Sequence, residues 1–261
     1  MLLCIDIGNT NIKLGLFVGE QMRAHWRIAT DRGNLADEYA MLLRNLFVAE
    51  GIDLTEITGC AISSVVPLLS EVFAELSRRY FRLEPLILGA QTVTGMKINT
   101  DYPAEVGSDL VVNALAARHL YGMPVIVIGF GTATTFVAVS ALGDLEGVAI
   151  APGIATSGDS LFRATSTLPQ VALARPAAAV GKNTIHSIQA GFVFGFTGLV
   201  EKLVEKIQAE LGGTARVIAT GGLASLIMPE THVIEAVEPN LALIGLRLLF
   251  ELNQPGRKRE N

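Results

Sequence analysis

The sequence predicts an α/β protein made of two similar halves, each a mixed sheet flanked by helices. Two observations carry this. Leu2, Leu3, Cys4 and Ile5 form a short apolar run, Asp6-Ile7-Gly8-Asn9-Thr10-Asn11 a turn of small and polar residues, and Ile12 to Val18 a second apolar run. That is the pattern of a strand, a tight turn and a returning strand. The pattern then recurs: Val125-Ile126-Val127-Ile128, the small-residue turn Gly129-Phe130-Gly131-Thr132-Ala133-Thr134-Thr135, and Phe136 to Val139. Aligned on the central glycines, Gly8 falls on Gly131, Asn9 on Thr132 and Asp6 on Gly129. A repeated hairpin of this kind reads as a duplicated domain, with a ligand cleft expected between the halves.

The remaining elements follow in order. After the first hairpin, Arg23 to Ala29 reads as a third strand and 35–50 as a helix, then Gly59 to Ser63 as a short strand. Pro67 suits the first turn of a helix running to Tyr80, and Leu86 to Leu88 forms another short strand. Val112, Leu115, Ala116 and His119 recur at helical spacing, so 111–120 is a helix expected to bridge the halves, with His119 packed on its apolar side. The second half repeats the scheme, with strands at 125–129, 134–140 and 144–151 and helices at 155–166 and 184–210. A strand at 216–219, a Gly221-Gly222 turn, a strand at 232–234 and a helix at 240–252 complete it. The alanine- and proline-rich stretch 172–179 is the expected mobile loop. The division is expected at 1–115 and 116–261.

Half of the 261 residues are hydrophobic, enough for a large core. No apolar run reaches membrane-spanning length, and Asp6 interrupts the first run too early for a signal peptide. Cys4 and Cys60 lie inside apolar strands, as buried thiols in a reducing compartment do. They have no histidine at zinc-ligand spacing. A net charge of −5 without a basic stripe argues against nucleic acid as a partner, and the terminal Arg257-Lys258-Arg259 reads as a frayed, solvated tail. The histidines are scattered and form no hydrolase triad.

The first turn has the make-up of a phosphate-binding hairpin. Gly8 suits positive φ or close backbone approach, the amides and short side chains of Asn9, Thr10 and Asn11 can wrap a polyanion, and Asp6 can hold a metal bound to it. Neither a Walker P-loop nor a GxGxxG turn occurs in the chain. Glu105-Val106-Gly107-Ser108-Asp109 precedes a helix, so Ser108 or Asp109 is a natural N-cap; a carboxylate there can also take a proton from a substrate hydroxyl. Gly181-Lys182-Asn183-Thr184 likewise precedes a helix, with Thr184 as N-cap or as a ligand for a polar substrate. Thr220-Gly221-Gly222 permits close approach of a nucleotide base or sugar.

In their order and spacing, these motifs resemble the type III pantothenate kinases of the sugar kinase/heat-shock ATPase/actin superfamily. Ala151-Pro152-Gly153, Ser187-Ile188-Gln189-Ala190-Gly191 and Glu238-Pro239-Asn240-Leu241 extend the likeness over nearly the whole chain. The resemblance implies two actin-like (ribonuclease H-like) domains, a cytoplasmic homodimer with no membrane partner, and ATP-dependent phosphorylation of pantothenate to 4′-phosphopantothenate, the first step towards coenzyme A. It also implies Mg²⁺ and a monovalent cation, K⁺ or NH₄⁺. Residue by residue, it implies that Asp6 holds the metal–phosphate end of ATP, that Ile7, Gly8, Asn9, Thr10, Asn11, Ile12 and Lys13 line the phosphates, and that Thr132 meets the nucleotide. Asp109 becomes the base, and Gly107, Ser108 and Thr184 bind pantothenate. Three positions depart from the family pattern. Leu110 stands in place of an arginine beside the substrate, Gly129 in place of the aspartate that binds the monovalent cation, and Thr100 in place of a pantothenate-contacting tyrosine, with Tyr102 the nearest aromatic. The two lost charges leave room for alternatives: a catalytically impaired member that binds a nucleotide or metabolite as a regulator, or a kinase of another small hydroxyl compound.

Overall fold

The computed structural model describes residues 1–89 and 91–254; the Arg257-Lys258-Arg259 tail lies outside the described residues. In chain order the elements are β1 (Leu2–Ile7), β2 (Asn11–Val18), β3 (Gln21–Ala29), α1 (Ala36–Ala49), β4 (Gly59–Ser64), α2 (Pro67–Leu76), β5 (Leu86–Ile87) and α3 (Ser108–Tyr121). There follow β6 (Val125–Phe130), β7 (Ala133–Val139), β8 (Leu145–Pro152), α4 (Ile154–Ala164), α5 (Thr184–Glu210), β9 (Arg216–Gly221), α6 (Ala224–Ile227), β10 (Ala236–Val237) and α7 (Leu241–Leu252).

The strands form two five-stranded sheets, β3-β2-β1-β4-β5 and β10-β9-β6-β7-β8. β1 runs antiparallel to β2 and parallel to β4. β6 does the same with β7 and β9. The two halves therefore share one topology, β1 matching β6 and each neighbour its counterpart. The match extends to irregularities. The β2–β3 ladder slips at Leu16/Phe17 and the β7–β8 ladder at Ala138/Val139, equivalent positions once Asp6 is set on Gly129. Both sheets are mixed and flanked by helices, as the sequence predicts.

The chain divides into two compact units, one of Met1–Met96, Asp101–Ala116 and the chain from Leu241 onward, the other of Lys97–Thr100 and Ala117–Asn240. The chain passes from one unit to the other inside α3, between Ala116 and Ala117. The last helix belongs with the first unit rather than with 116–261, because α7 packs on β1 and β4. In the first unit Leu3, Ile5, Leu14, Tyr39, Leu43, Phe47, Leu69 and Phe73 fill one face of the sheet, and Cys4, Phe17 and Ala61 meet Val112, Leu243 and Leu246 on the other. In the second, Ile126, Ile128 and Phe136 pack with Val200, Val204 and Ala224.

Several expectations are corrected. The helix from Pro67 ends near the expected Tyr80, but its last turn, Ser77–Phe81, widens into a π-helix that stops at Arg82, whose φ of 57° breaks it. No strand forms at 232–234; the strand is Ala236–Val237, paired to β9, because a two-residue strand has too short a pattern to locate in sequence. His119 is exposed while Leu115 and Ala116 are buried: α3 ends two residues later, leaving the ring uncovered. The 172–179 stretch is a loop, as expected, without regular secondary structure; Gln189 Nε2 donates to the Ala172 carbonyl (2.9 Å) and Arg175 pairs with Glu230. Cys4 and Cys60 are buried free thiols, the latter pushed by burial to about 12. Among the described residues, no helix is long and apolar enough to cross a membrane.

Candidate active site

The chemistry-bearing groups of the first unit lie along one row of its sheet. Asp6 is in register with Lys13 on β2 and Ser63 on β4, and Lys13 with Arg27 on β3. Residues in register on neighbouring strands point to the same face, so the row reads Ser63–Asp6–Lys13–Arg27. Asp6 is 9% exposed. Burial pushes its carboxyl up to about 6; the Lys13 charge opposes this, the Asp109 charge adds to it, and a Ser63 hydrogen bond lowers it. Asp109 is raised by burial as well, opposed by backbone N–H groups of Leu110 and Asp109 and by Lys13. One ammonium therefore serves two mostly desolvated carboxylates, an arrangement that favours a further cation or a transferable proton there.

The 8–11 turn is held from outside. Gly8 donates its N–H to the Asn11 carbonyl (3.0 Å), Thr30 Oγ1 donates to the Gly8 carbonyl (2.7 Å), and the Thr30 N–H donates to the Thr10 carbonyl (3.0 Å). Arg32 Nη2 donates to Asn9 Oδ1 at 3.0 Å. Gly8 is needed for this closure and not for positive φ, which it does not adopt. Sequence reasoning missed Ser63, Thr30, Arg27 and Arg32. The alternation of β3 puts Arg27 on a known face, but nothing local ties it to Lys13.

At the start of α3, Gly107 accepts from the Leu110 and Val111 N–H groups. A Cβ at 107 would lie 2.7 Å from Asp109 Oδ1, so a side chain there would displace the carboxylate from its place over its own helix start. The expected N-cap is corrected: Ser108 is already helical and does not cap. Its hydroxyl accepts from the Ser64 N–H (3.0 Å) and donates to the Ser64 carbonyl (2.9 Å), and it lies 3.0 Å from Ser63 Oγ. Leu110 is buried (7% exposed) and Tyr102 lies exposed ahead of the helix.

The second unit carries the equivalent row without charge. Gly129 is in register with Thr135 and Thr220, and Thr135 with Ile150. A Cβ at 129 would stand 2.6 Å from Thr135 Oγ1, so that hydroxyl fills part of the space a side chain would use. Thr220 is buried and its Oγ1 has no hydrogen-bond partner. The turn is one residue shorter than its counterpart, Phe130 pairing with Thr134 where Ile7 pairs with Ile12. Thr132 is exposed at the tip, its carbonyl accepting from Thr156 Oγ1 at 2.7 Å. Gly221, with φ of 98°, is required by the Phe130 carbonyl of its own sheet, which explains the Thr-Gly-Gly turn without a ligand. Asn183, not Thr184, caps α5, accepting from the His186 N–H at 2.9 Å; Thr184 is the exposed first helical residue. Thr100 belongs to this unit and its buried Oγ1 has no partner. Among the described residues, no three of His, Cys, Asp and Glu gather as a metal cluster.

Duplicated units of this topology define an actin-like protein of the superfamily that includes sugar kinases and heat-shock ATPases. Solved structures agree on the fold. A protein of Sinorhizobium meliloti, provisionally described as a 2-dehydro-3-deoxygalactonokinase, superposes with a TM-score of 0.60 at 15% identity, covering 100% of this chain and 99% of that one. The activator of the 2-hydroxyisocaproyl-CoA dehydratase from Clostridium difficile, with bound ADPNP, does so at 0.51 and 13%, covering 96% and 94%. A family model for type III pantothenate kinases matches residues 2–206. The type III pantothenate kinase of Roseiflexus sp. (strain RS-1) is 57% identical over 254 residues, 97% of this chain and 100% of the relative. The chain belongs to the type III pantothenate kinase family.

Proposed function

We propose that this chain transfers the γ-phosphoryl group of ATP to the terminal hydroxyl of pantothenate, giving 4′-phosphopantothenate. Family membership supplies the reaction; the observation that carries the residue assignment is the row Ser63–Asp6–Lys13 beside Asp109. The Gly8–Asn11 turn offers amides to the phosphates, with Ile7 and Ile12 framing it, and Lys13 adds fixed positive charge. Asp109, its carboxyl raised by burial, takes the proton of the attacking hydroxyl, which α3 presents at its N-terminal end. Gly107 leaves room for that approach. The Ser108 hydroxyl is satisfied within the protein, so its contribution to pantothenate is through the backbone. In the second unit, Thr132 is assigned to the nucleotide and Thr184 and Thr100 to pantothenate; in the first, Tyr102 and Leu110 are assigned to pantothenate as well.

Mg²⁺ fits the first unit. Asp6 is a hard, buried oxygen ligand whose charge is poorly compensated, and this ion commonly binds one or two carboxylates plus substrate phosphates. When bound, it neutralises charge on the transferring phosphoryl group. A carboxylate-held monovalent cation does not fit the second unit, where Gly129 is flanked by the neutral hydroxyls of Thr135 and Thr220. We assign no step to it.

A homodimer is supported by an apolar groove of about 360 Å³ on the second unit, lined by Leu161, Ile188, Phe192, Phe196 and Leu199. A cytoplasmic protein without nucleic-acid partners fits the net charge of −5 and the two free thiols. The testing experiment is a coupled ADP-release assay with pantothenate, with and without potassium. Turnover that depends on pantothenate supports the reading. ADP release without it, or with another hydroxyl compound only, rejects it. In the same assay Asp109→Asn is expected to lose about 10²–10⁴-fold in turnover while calorimetric nucleotide affinity stays near wild type; full activity would remove Asp109 from the mechanism.

A further inference from the structure

We propose that Ser63 and Ser108 are positioning residues, a buried hydroxyl pair that orients the Asp6 carboxylate towards the metal–phosphate end of ATP and fixes the start of the helix carrying Asp109. The proposal rests on the kinase reading above and adds to it Ser63 and a role for the Ser108 hydroxyl distinct from the backbone contact already assigned to Ser108.

The geometry is a short chain of hydrogen bonds. Ser63 has no solvent exposure. It stands in register with Asp6 on the adjacent parallel strand, its side chain on the same face of the sheet, close enough for its hydroxyl to lower the proton affinity of the Asp6 carboxyl. Its Oγ is 3.0 Å from Ser108 Oγ. Ser108 in turn grips the end of β4 through both the N–H and the carbonyl of Ser64, at 3.0 and 2.9 Å. Ser108 is the first residue of α3 and Asp109 the second. Two hydroxyl protons serve three acceptors, namely the Asp6 carboxylate, the Ser64 carbonyl and the neighbouring hydroxyl. The ionised carboxylate takes the Ser63 proton, the strongest of these bonds. The Ser108 proton goes to the Ser64 carbonyl at 2.9 Å, and when Asp6 is protonated the Ser63 proton turns to the Ser108 hydroxyl at 3.0 Å.

Such an arrangement fixes two things at once. A carboxylate on a strand has a free χ2 unless something holds it; a hydroxyl that donates to one oxygen leaves the other for a ligand, and Ser63 is the buried hydroxyl in register with Asp6. A helix start hooked to a strand end by a side chain cannot drift, so the carboxylate one residue further on keeps its distance from Asp6. Small errors in such placement have large effects on rate.

The test uses the full-length protein and Ser63→Ala, Ser63→Cys, Ser108→Ala and Ser108→Thr. Calorimetry measures binding of ATP with Mg²⁺ and of ATP in EDTA; steady-state kinetics give kcat and KM for pantothenate; thermal melts report folding. Ser63→Ala is expected to weaken Mg²⁺–ATP binding about tenfold with metal-free ATP affinity unchanged, Ser63→Cys falling between it and wild type. Ser108→Ala is expected to lower kcat about tenfold with Mg²⁺–ATP affinity less affected, and Ser108→Thr to restore it. If Ser63→Ala does not fold, Ser63→Cys carries the comparison. Unchanged Mg²⁺–ATP affinity in the Ser63 variant, or equal loss for ATP with and without metal, overturns the proposal and leaves the kinase reading standing. A wild-type protein that binds no Mg²⁺–ATP overturns both.

Discussion

Asp6 is held at an energetic cost in the free protein. Its carboxyl moves from 3.8 to about 6 on folding, through burial first. The folded state therefore binds the proton more tightly than the unfolded chain, and stability contributed by this group falls as pH rises through the window from about 4 to 6. Above pH 6 the penalty is at most about 3 kcal/mol. Asp6→Asn is accordingly expected to raise the melting temperature by several degrees at pH 7.5 and to lose that advantage near pH 4, while Mg²⁺–ATP binding weakens. Melts at the two pH values check it; equal stability of the two proteins at pH 7.5 would contradict the cost. Gly129 is the complementary case, a missing charge. Without a carboxylate there, potassium is expected to change turnover little, and Gly129→Asp to restore a potassium response, once the Thr135 hydroxyl 2.6 Å from the new Cβ has rotated away. Leu110→Arg added to it is expected to raise turnover further, since one lost electrostatic contact is worth roughly 3 kcal/mol in a transition state. Vigorous potassium stimulation of the unmodified enzyme would instead assign the cation to neutral oxygens such as those of Thr135 and Thr220.

At the scale of elements, α7 packs against α3 at Gly245, where any Cβ would run into the Val112 carbonyl. The contact lets the two helices share one face of the first sheet, over Cys4, Phe17 and Ala61. Gly245→Ala must push the helices apart. It is expected to cost about 1–3 kcal/mol in urea unfolding and to disturb the start of α3, so that KM for pantothenate rises. An unchanged unfolding midpoint would show that α7 moves freely. The sequence located both helices to within three residues, although α3 is buried almost all round, at 110–112 and 114–117, and has no single apolar side. It placed the second-unit strand at 232–234 instead of Ala236–Val237, and it missed the π-helical turn at Ser77–Phe81. Those features depend on pairing and packing, not on a local repeat.

For the whole molecule, α5 presents an apolar face together with Leu161. Phe192 and Phe196 stack with ring centroids 6.2 Å apart beside Leu161 and Ile188, and Leu161 and Phe162 remain 37% and 42% exposed. If a second copy covers this face, sedimentation is expected to give a dimer at micromolar concentration and Phe192→Glu a monomer. A wild-type monomer under those conditions would reject the homodimer. The repeat itself was legible from the start, since the hairpins around Gly8 and Gly131 align by eye.

The sequence by itself determined the duplicated mixed-sheet architecture and the family, because both are written in local patterns: apolar alternation, small-residue turns, and motifs at fixed spacing. It also singled out Asp6, Lys13 and Asp109, and exposed Gly129 and Leu110 as departures. Only the tertiary structure decided that Ser63 stands beside Asp6, that the Ser108 hydroxyl grips β4 instead of capping α3, that Arg27 shares a row with Lys13, and that α7 returns to the first unit. Each of those facts joins residues far apart in the chain. Strand register and helix docking set them, and both are chosen by the whole apolar pattern of the fold, which no single segment displays.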